Sequence, residues 1–191
     1  MLVFSMSKPL DRLVHSIAEK IERAENLEPL LKIIAMDIQK ETQLNFKNQR
    51  SPDGQAWKKN RRGGQTLART GILKRSFTTY TYGNTAAVGT NVPYARIHQY
   101  GGVIKPKRGK YLAIPINKKA EGNSPRDFDD TICIKAKNAL YIVRKLDKKG
   151  KNLEFLYKLQ KEVVVPERKF LGINDKMKNK YANLTKKHIF K

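Results

Sequence analysis

"SFTTYTYGNTAAVGTNVPYARIHQYGG", residues 76–102, holds in one stretch the two patterns on which the fold turns. Its first half is β-branched and aromatic from Thr78 to Tyr82, and the chain returns from Thr85 to Gly89. The Gly83-Asn84 pair between them predicts a hairpin with glycine first, because the first turn position demands a positive φ. Its second half changes period. Asn91 offers a cap, Pro93 fits a helix start, and "YARIHQY" (94–100) spans about two helical turns. Gly101 ends that helix in the left-handed conformation that glycine adopts at little cost. His98 lies one turn beyond Tyr94. No serine, cysteine or carboxylate nearby forms a local catalytic pair with it, so His98 reads as a structural or contact residue. A general base completed by distant residues stays open.

N-terminal to this stretch the chain is helical. Leu10, Leu13, Val14, Ile17, Ala18 and Ile21 fall on one apolar stripe, with Ser7 placed to cap it and Pro9 in its first turn. A second helix is predicted after Asn26, through "LEPLLKIIAMDIQKETQLNF" (27–46). Its apolar residues Leu30, Leu31, Ile33, Ile34, Met36 and Ile38 are too widely spread for one stripe. That width predicts burial on two sides, against the first helix and against a sheet or a neighbouring subunit.

The pattern then breaks. "KNQRSPDGQAWKKNRRGGQ" (47–65) is punctuated by Pro-Asp-Gly and Gly-Gly, so residues 46–69 are expected to form a basic loop or projecting arm. From Lys47 to Arg75 the chain holds nine basic residues and one acid, Asp53. Trp57, the one tryptophan, sits inside. It is expected to be exposed in an isolated subunit, where it would either stack on bases or anchor the arm to a partner protein. "LARTGILKRSF" (67–77) follows as a short helix weakened by Gly71.

C-terminal to Gly102 the chain is β-rich: "KYLAIPI" (110–116), "TICIKA" (131–136), "ALYIVRK" (139–145) and "NLEFLYKLQKEVVVP" (152–166) are strand-like. "KLDKKGKN" (145–152) is a hairpin turn and "NKKAEGNSPRDFDD" (117–130) a loop. Asp127, Asp129 and Asp130 lack the glycine and glutamate of a calcium loop and read as turn acids. Cys133 is the single cysteine, which excludes an internal disulfide; its alternating apolar setting predicts a buried structural thiol. The last helix, "DKMKNKYANLTKKHIF" (175–190), carries Met177, Tyr181 and Leu184 on one side.

Composition bounds the rest. The chain has 191 residues, with 40 Lys+Arg against 17 Asp+Glu and a net charge of +23. That excess attracts polyanions and keeps nucleic-acid binding as an alternative function. No run approaches the ~18 apolar residues of a membrane helix. "MLVFSM" is too short for a signal-peptide core and leads straight into polar sequence, which points to the cytoplasm or something assembled there. No phosphate cradle, nucleophile elbow or zinc-protease motif appears; neither an enzyme nor a cofactor is expected.

Four stretches in order, "FKNQRSPDGQAWKK" (46–59), "LARTGILKRSF" (67–77), "AVGTNVPYARIHQYGG" (87–102) and "VVVPERKFLGI" (163–173), resemble the phage virion morphogenesis family, the tail-completion proteins of Mu-like and P2-like tailed phages. Pro52, Asp53, Gly54 and Trp57 match the arm motif, and Thr70, Gly71 and Leu73 the short helix. Tyr94, Ala95, His98, Gly101 and Gly102 match the central motif; Pro166, Arg168, Phe170, Leu171 and Gly172 match the last.

The resemblance implies a virion component at the head-proximal end of the tail, made in the host cytoplasm and acting by assembly. Its expected partners are other tail and neck proteins, with a homo-oligomeric ring and non-specific contact with DNA in its lumen. Trp57, Tyr94, His98, Tyr100, Arg168 and Phe170 are assigned to subunit or partner contact. Pro52, Asp53, Gly54, Gly71, Gly101, Gly102 and Gly172 are assigned to turns and fold. The expected architecture is α+β: N-terminal helices and a C-terminal helix on a mostly antiparallel sheet, with a projecting basic arm. It forms a single domain, in which 103–162 is a β-rich insertion or an enlarged sheet.

Overall fold

A computed structural model describes residues 7–60, 63–147 and 150–190. The chain divides into two compact units, Met1–Tyr100 together with Pro166–Lys191, and Gly101–Val165.

The first unit contains α1 (Ser7–Glu25), α2 (Glu28–Asn48), α3 (Ile72–Arg75), the strands β1 (Thr78–Tyr82) and β2 (Thr85–Gly89), and α4 (Ala95–Tyr100). β1 and β2 form the expected hairpin, paired from Thr78↔Gly89 to Tyr82↔Thr85 around Gly83-Asn84, with Gly83 at φ +51°. The hairpin packs on α2. The last helix of the chain also belongs to this unit. It spans Asp175–Ile189 and becomes α5 in chain order, capped by Asn174, whose side chain accepts from the Met177 amide. Met177 and Tyr181 are buried against Ile38 of α2, flanked by Ile34 and Leu184.

α2 departs from expectation in its neighbours. Its buried residues, Leu30, Ala35, Ile38 and Phe46 among them, face the hairpin, α3 and α5, while α1 lies along α5. Ile33 and Met36 are exposed, as is the whole apolar stripe of α1 from Leu10 to Ile21. The capping roles expected of Ser7 and Pro9 concern side chains outside the described residues.

The second unit contains β3 (Gly102–Ile104), β4 (Leu112–Pro115), β5 (Thr131–Ala136), β6 (Ala139–Lys145), β7 (Leu153–Gln160) and β8 (Val163–Val165). β3 and β8 pair as a two-stranded antiparallel ribbon, and the others form an antiparallel sheet in the order β4-β7-β6-β5. The class is therefore α+β, with helices at both ends of the chain and three antiparallel sheets. Leu156 and Tyr157 of β7 form the core with Ala120. The Tyr157 hydroxyl donates to the Asn123 carbonyl at 2.8 Å and reaches the Ala120 carbonyl at 3.3 Å, tying the 120–123 turn to the sheet.

Cys133 corrects the sequence reading: it is exposed. β5 is an edge strand, and side chains alternate between faces. Ile132 and Ile134 take the half-buried face and Cys133 the open one. Apolar alternation shows that a strand has two faces, and the thiol occupies the open one.

Candidate assembly site

The four motif stretches meet in one aromatic core. Phe46 at the end of α2 lies 5.4 Å from Trp57, 6.0 Å from Phe77 and 5.2 Å from Phe170, measured between ring centres. Phe77 and Phe170 are 5.6 Å apart, edge to face. Leu73 and Ala95 complete the buried set. Such ring pairs contribute roughly 0.5–1.5 kcal/mol each beyond the apolar area they bury.

Trp57 is the main correction. It is only 7% exposed, inside its own subunit's core. The cause is local. α2 ends with Gln49 in the left-handed conformation, which reverses the chain. Its carbonyl accepts from the Trp57 amide at 2.9 Å, and an Arg50–Ala56 bridge closes the Pro52-Asp53-Gly54 turn between them. The indole N–H then donates to the Lys169 carbonyl at 3.0 Å. At its tryptophan the basic segment is thus a tucked loop.

Polar side chains lock the last motif onto the rest by gripping its backbone. Gln99 is buried in α4. Its Oε1 accepts from the Phe170 and Leu171 amides at 3.0 and 3.1 Å, and its Nε2 donates to the Leu171 carbonyl at 2.7 Å. Asn45 donates to the Phe170 carbonyl, and Asn174 to that of Pro52. The Arg168 amide donates to the His98 carbonyl at 2.8 Å, and its guanidinium Nε to the Lys58 carbonyl at 3.0 Å. Arg168 and Phe170, expected at contacts, are buried within the unit. Sequence reasoning missed Gln99, Asn45 and Asn174 as clamps. Their one available signal is an amide side chain beside buried motif residues.

His98 is half-buried with its ring edge toward Tyr94. Burial lowers its pKa, and the nearby Arg168 charge lowers it further, so the ring is neutral at physiological pH. Its Nδ1 is buried without a hydrogen-bond partner among the described residues. No acid orients the ring through that atom, in contrast to the usual arrangement of a catalytic histidine.

The turn residues sit where their types are needed. Gly54, Gly71, Gly101 and Gly102 all have positive φ. At Gly71, which precedes α3, a Cβ would run into the Arg75 guanidinium. Gly172 instead permits a close approach, since its Cβ would stand 3.3 Å from Pro52. Asp53 pairs with Lys169 at 3.3 Å.

What remains outward is aromatic. Tyr94, just before α4, is 44% exposed, and Tyr100, at its end, 71%. They flank Gln99, whose three bonds to the last motif hold α4 in place, so both rings are presented from a fixed support. Tyr80 and Tyr82 of β1 are also exposed.

The architecture therefore defines a helix-and-hairpin body whose four motifs close its core, with tyrosines left on the surface. The chain belongs to the phage virion morphogenesis family, whose profile matches residues 6–189. It is 38% identical over 111 residues to the Mu-like prophage FluMu G protein 2 of Haemophilus influenzae, a match covering 58% of this chain and 72% of that relative. No solved structure matches the chain. Family membership makes it a phage morphogenesis protein associated with the virion and with other phage proteins. No helix among the described residues is long and apolar enough to cross a membrane.

Proposed function

We propose that this protein completes the phage tail at its head-proximal end. It acts by assembly and not by catalysis, as a homo-oligomeric ring in contact with other tail and neck proteins. The observation that carries this reading is the division of labour within the motifs. Trp57, Arg168 and Phe170 are consumed by the core and its clamps, while Tyr94 and Tyr100 stand exposed on a helix that Gln99 immobilises. Exposed tyrosines on a rigid support suit protein contact, because they supply large area at small entropic cost. The contact role first assigned to all six residues is thus narrowed to Tyr94 and Tyr100, with His98 supporting α4. The net charge of +23 suits a ring whose lumen passes DNA.

Electron microscopy of particles made without the protein tests this. Finished heads beside unjoined tails are expected; intact joined particles would refute it. Tyr100→Ala should leave the melting temperature unchanged and reduce incorporation into tails.

Nucleic-acid binding as the main function is the second reading, favoured by the same charge. A protein working through six or more phosphates loses roughly a thousandfold in affinity between ~50 and ~200 mM salt. Weak binding, indifferent to sequence, would leave the charge as a lumen lining.

A further inference from the structure

α1 is the one long helix of the chain whose apolar face is wholly open. Leu10, Leu13, Val14, Ile17 and Ile21 are between 48% and 60% exposed, and the helix touches its own unit along α5. Half-burial on α1 falls on Ser16, Lys20 and Arg23, beside the stripe and not on it. Leu10, Val14, Ile17, Ile21 and Ala24 are spaced four, three, four and three apart, the repeat that keeps a seam facing another helix over successive turns. Leu13 and Ala18 widen the seam beyond what a single partner helix covers.

The borders of the stripe indicate what covers it. At about 100° per residue, Asp11, Glu22 and Glu25 fall along one edge, and Arg12, Lys20 and Arg23 along the other. Arg23 also pairs with Glu19 at 3.2 Å. Across the helix, Lys8, Arg12, Lys20 and Arg23 balance Asp11, Glu19, Glu22 and Glu25, so α1 is neutral in a chain of net charge +23. A helix meeting the generally basic surface of this protein would need a negative face. A helix meeting copies of itself needs neutrality and borders of opposite sign. α1 has both.

We propose that α1 is the contact through which copies of this chain join. The helices run parallel around the assembly, each acidic border against the next copy's basic border, with the apolar seams buried between them. Such a contact is heterologous and repeats from copy to copy, the geometry that closes rings. It rests on the homo-oligomer reading above and adds the surface that builds the oligomer.

Sedimentation of the full-length protein across a concentration series tests it. The wild type is expected to self-associate, and Ile17→Asp to weaken association at least about tenfold without changing the circular dichroism or melting temperature. Two border variants sharpen the test. Asp11→Lys/Glu22→Lys/Glu25→Lys carries two basic borders, and Arg12→Glu/Lys20→Glu/Arg23→Glu two acidic ones. Each alone should associate more weakly than wild type, and an equimolar mixture should form mixed oligomers. Failure of the mixture to associate would overturn the parallel-border arrangement. A wild type that stays monomeric throughout would overturn the α1 contact, while the tail-completion reading would still stand or fall on the particles made without the protein. If Ile17→Asp keeps its self-association but is lost from particles, the stripe docks a different virion protein and the proposal is wrong.

Discussion

α1 and α2 both read from sequence as apolar helices, and they end in opposite situations. α1 has the cleaner pattern, six apolar residues on one stripe, yet that stripe faces away from its own unit. α2 has the more diffuse pattern and holds Leu30, Ala35, Ile38 and Phe46 in the interior. Periodicity reports that a helix has an apolar face, without reporting what covers it. α2 is covered because the hairpin, α3, the motif loop and α5 all pack on it, and that packing uses its polar residues as well. Gln39 donates to the Phe77 carbonyl at 2.5 Å, and the Thr42 hydroxyl donates to the Ile38 carbonyl at 2.8 Å.

The largest effect expected from this contrast is at Phe46. It is fully buried and touches three other rings, so Phe46→Ala should cost ~3–5 kcal/mol, while Ile17→Ala on α1 stays within about ±0.5 kcal/mol for the monomer. Denaturant unfolding of the two variants at low protein concentration measures both. Equal losses would mean that α1 is folded into the monomer's core and that the contrast is false.

Gln99 should come next. Replacing it with Leu keeps the volume but strips partners from the Phe170 and Leu171 amides and the Leu171 carbonyl. Each buried polar group left unsatisfied costs ~1–3 kcal/mol, so a total of at least ~2 kcal/mol is expected, with Gln99→Glu unable to restore the donor to Leu171. Hydrogen exchange at the Phe170 and Leu171 amides should rise in both variants. Unchanged protection there would show that the clamp is dispensable.

Trp57 offers a smaller and more local test. Its fluorescence in dilute monomer should be blue-shifted and protected from quenchers, since the ring lies in the core. Trp57→Phe keeps the ring packing and removes the N–H bond to the Lys169 carbonyl, with an expected loss of ~1–2 kcal/mol. A red-shifted spectrum would return the indole to solvent and restore the arm first expected.

The contrast also marks how far the sequence could be read. The β1–β2 hairpin, the strands of the second unit and the Met177–Tyr181 face of α5 were legible, because two-residue turns and apolar periodicity are local signals. Trp57 was not. A loop of Lys, Gly and Pro has no period, and the feature that buries the indole is the left-handed Gln49, a conformation sequence does not announce. Gln99, Asn45 and Asn174 were hidden for a related reason: each binds backbone atoms far along the chain, and a backbone partner leaves no mark in residue type. Cys133 was misread because alternation cannot say which of two faces is open on an edge strand.

The smallest expected effect lies where α2 meets α5. Burial alone would raise the Asp37 pKa, but the Lys180 ammonium at 2.6 Å and the Tyr181 hydroxyl at 3.0 Å outweigh it and hold the carboxyl below its ordinary value. A depressed acid contributes stability that is present above the unfolded pKa, near 4, and is lost as pH falls through the folded value. Tyr181 is shifted the other way, raised by burial and then by its bond to Asp37. Its contribution is present below the unfolded pKa near 10 and fades only at more alkaline pH. Stability from this latch should therefore be flat across the neutral range and fall at both ends. Asp37→Asn should cost about 1 kcal/mol or less at pH 7, because Lys180 is half exposed and screened by solvent, and it should flatten the acid limb of a melting-temperature profile below pH ~4. An acid limb identical to wild type would show that other carboxylates set it and that α5 is held on α2 by Met177 and Tyr181 packing alone.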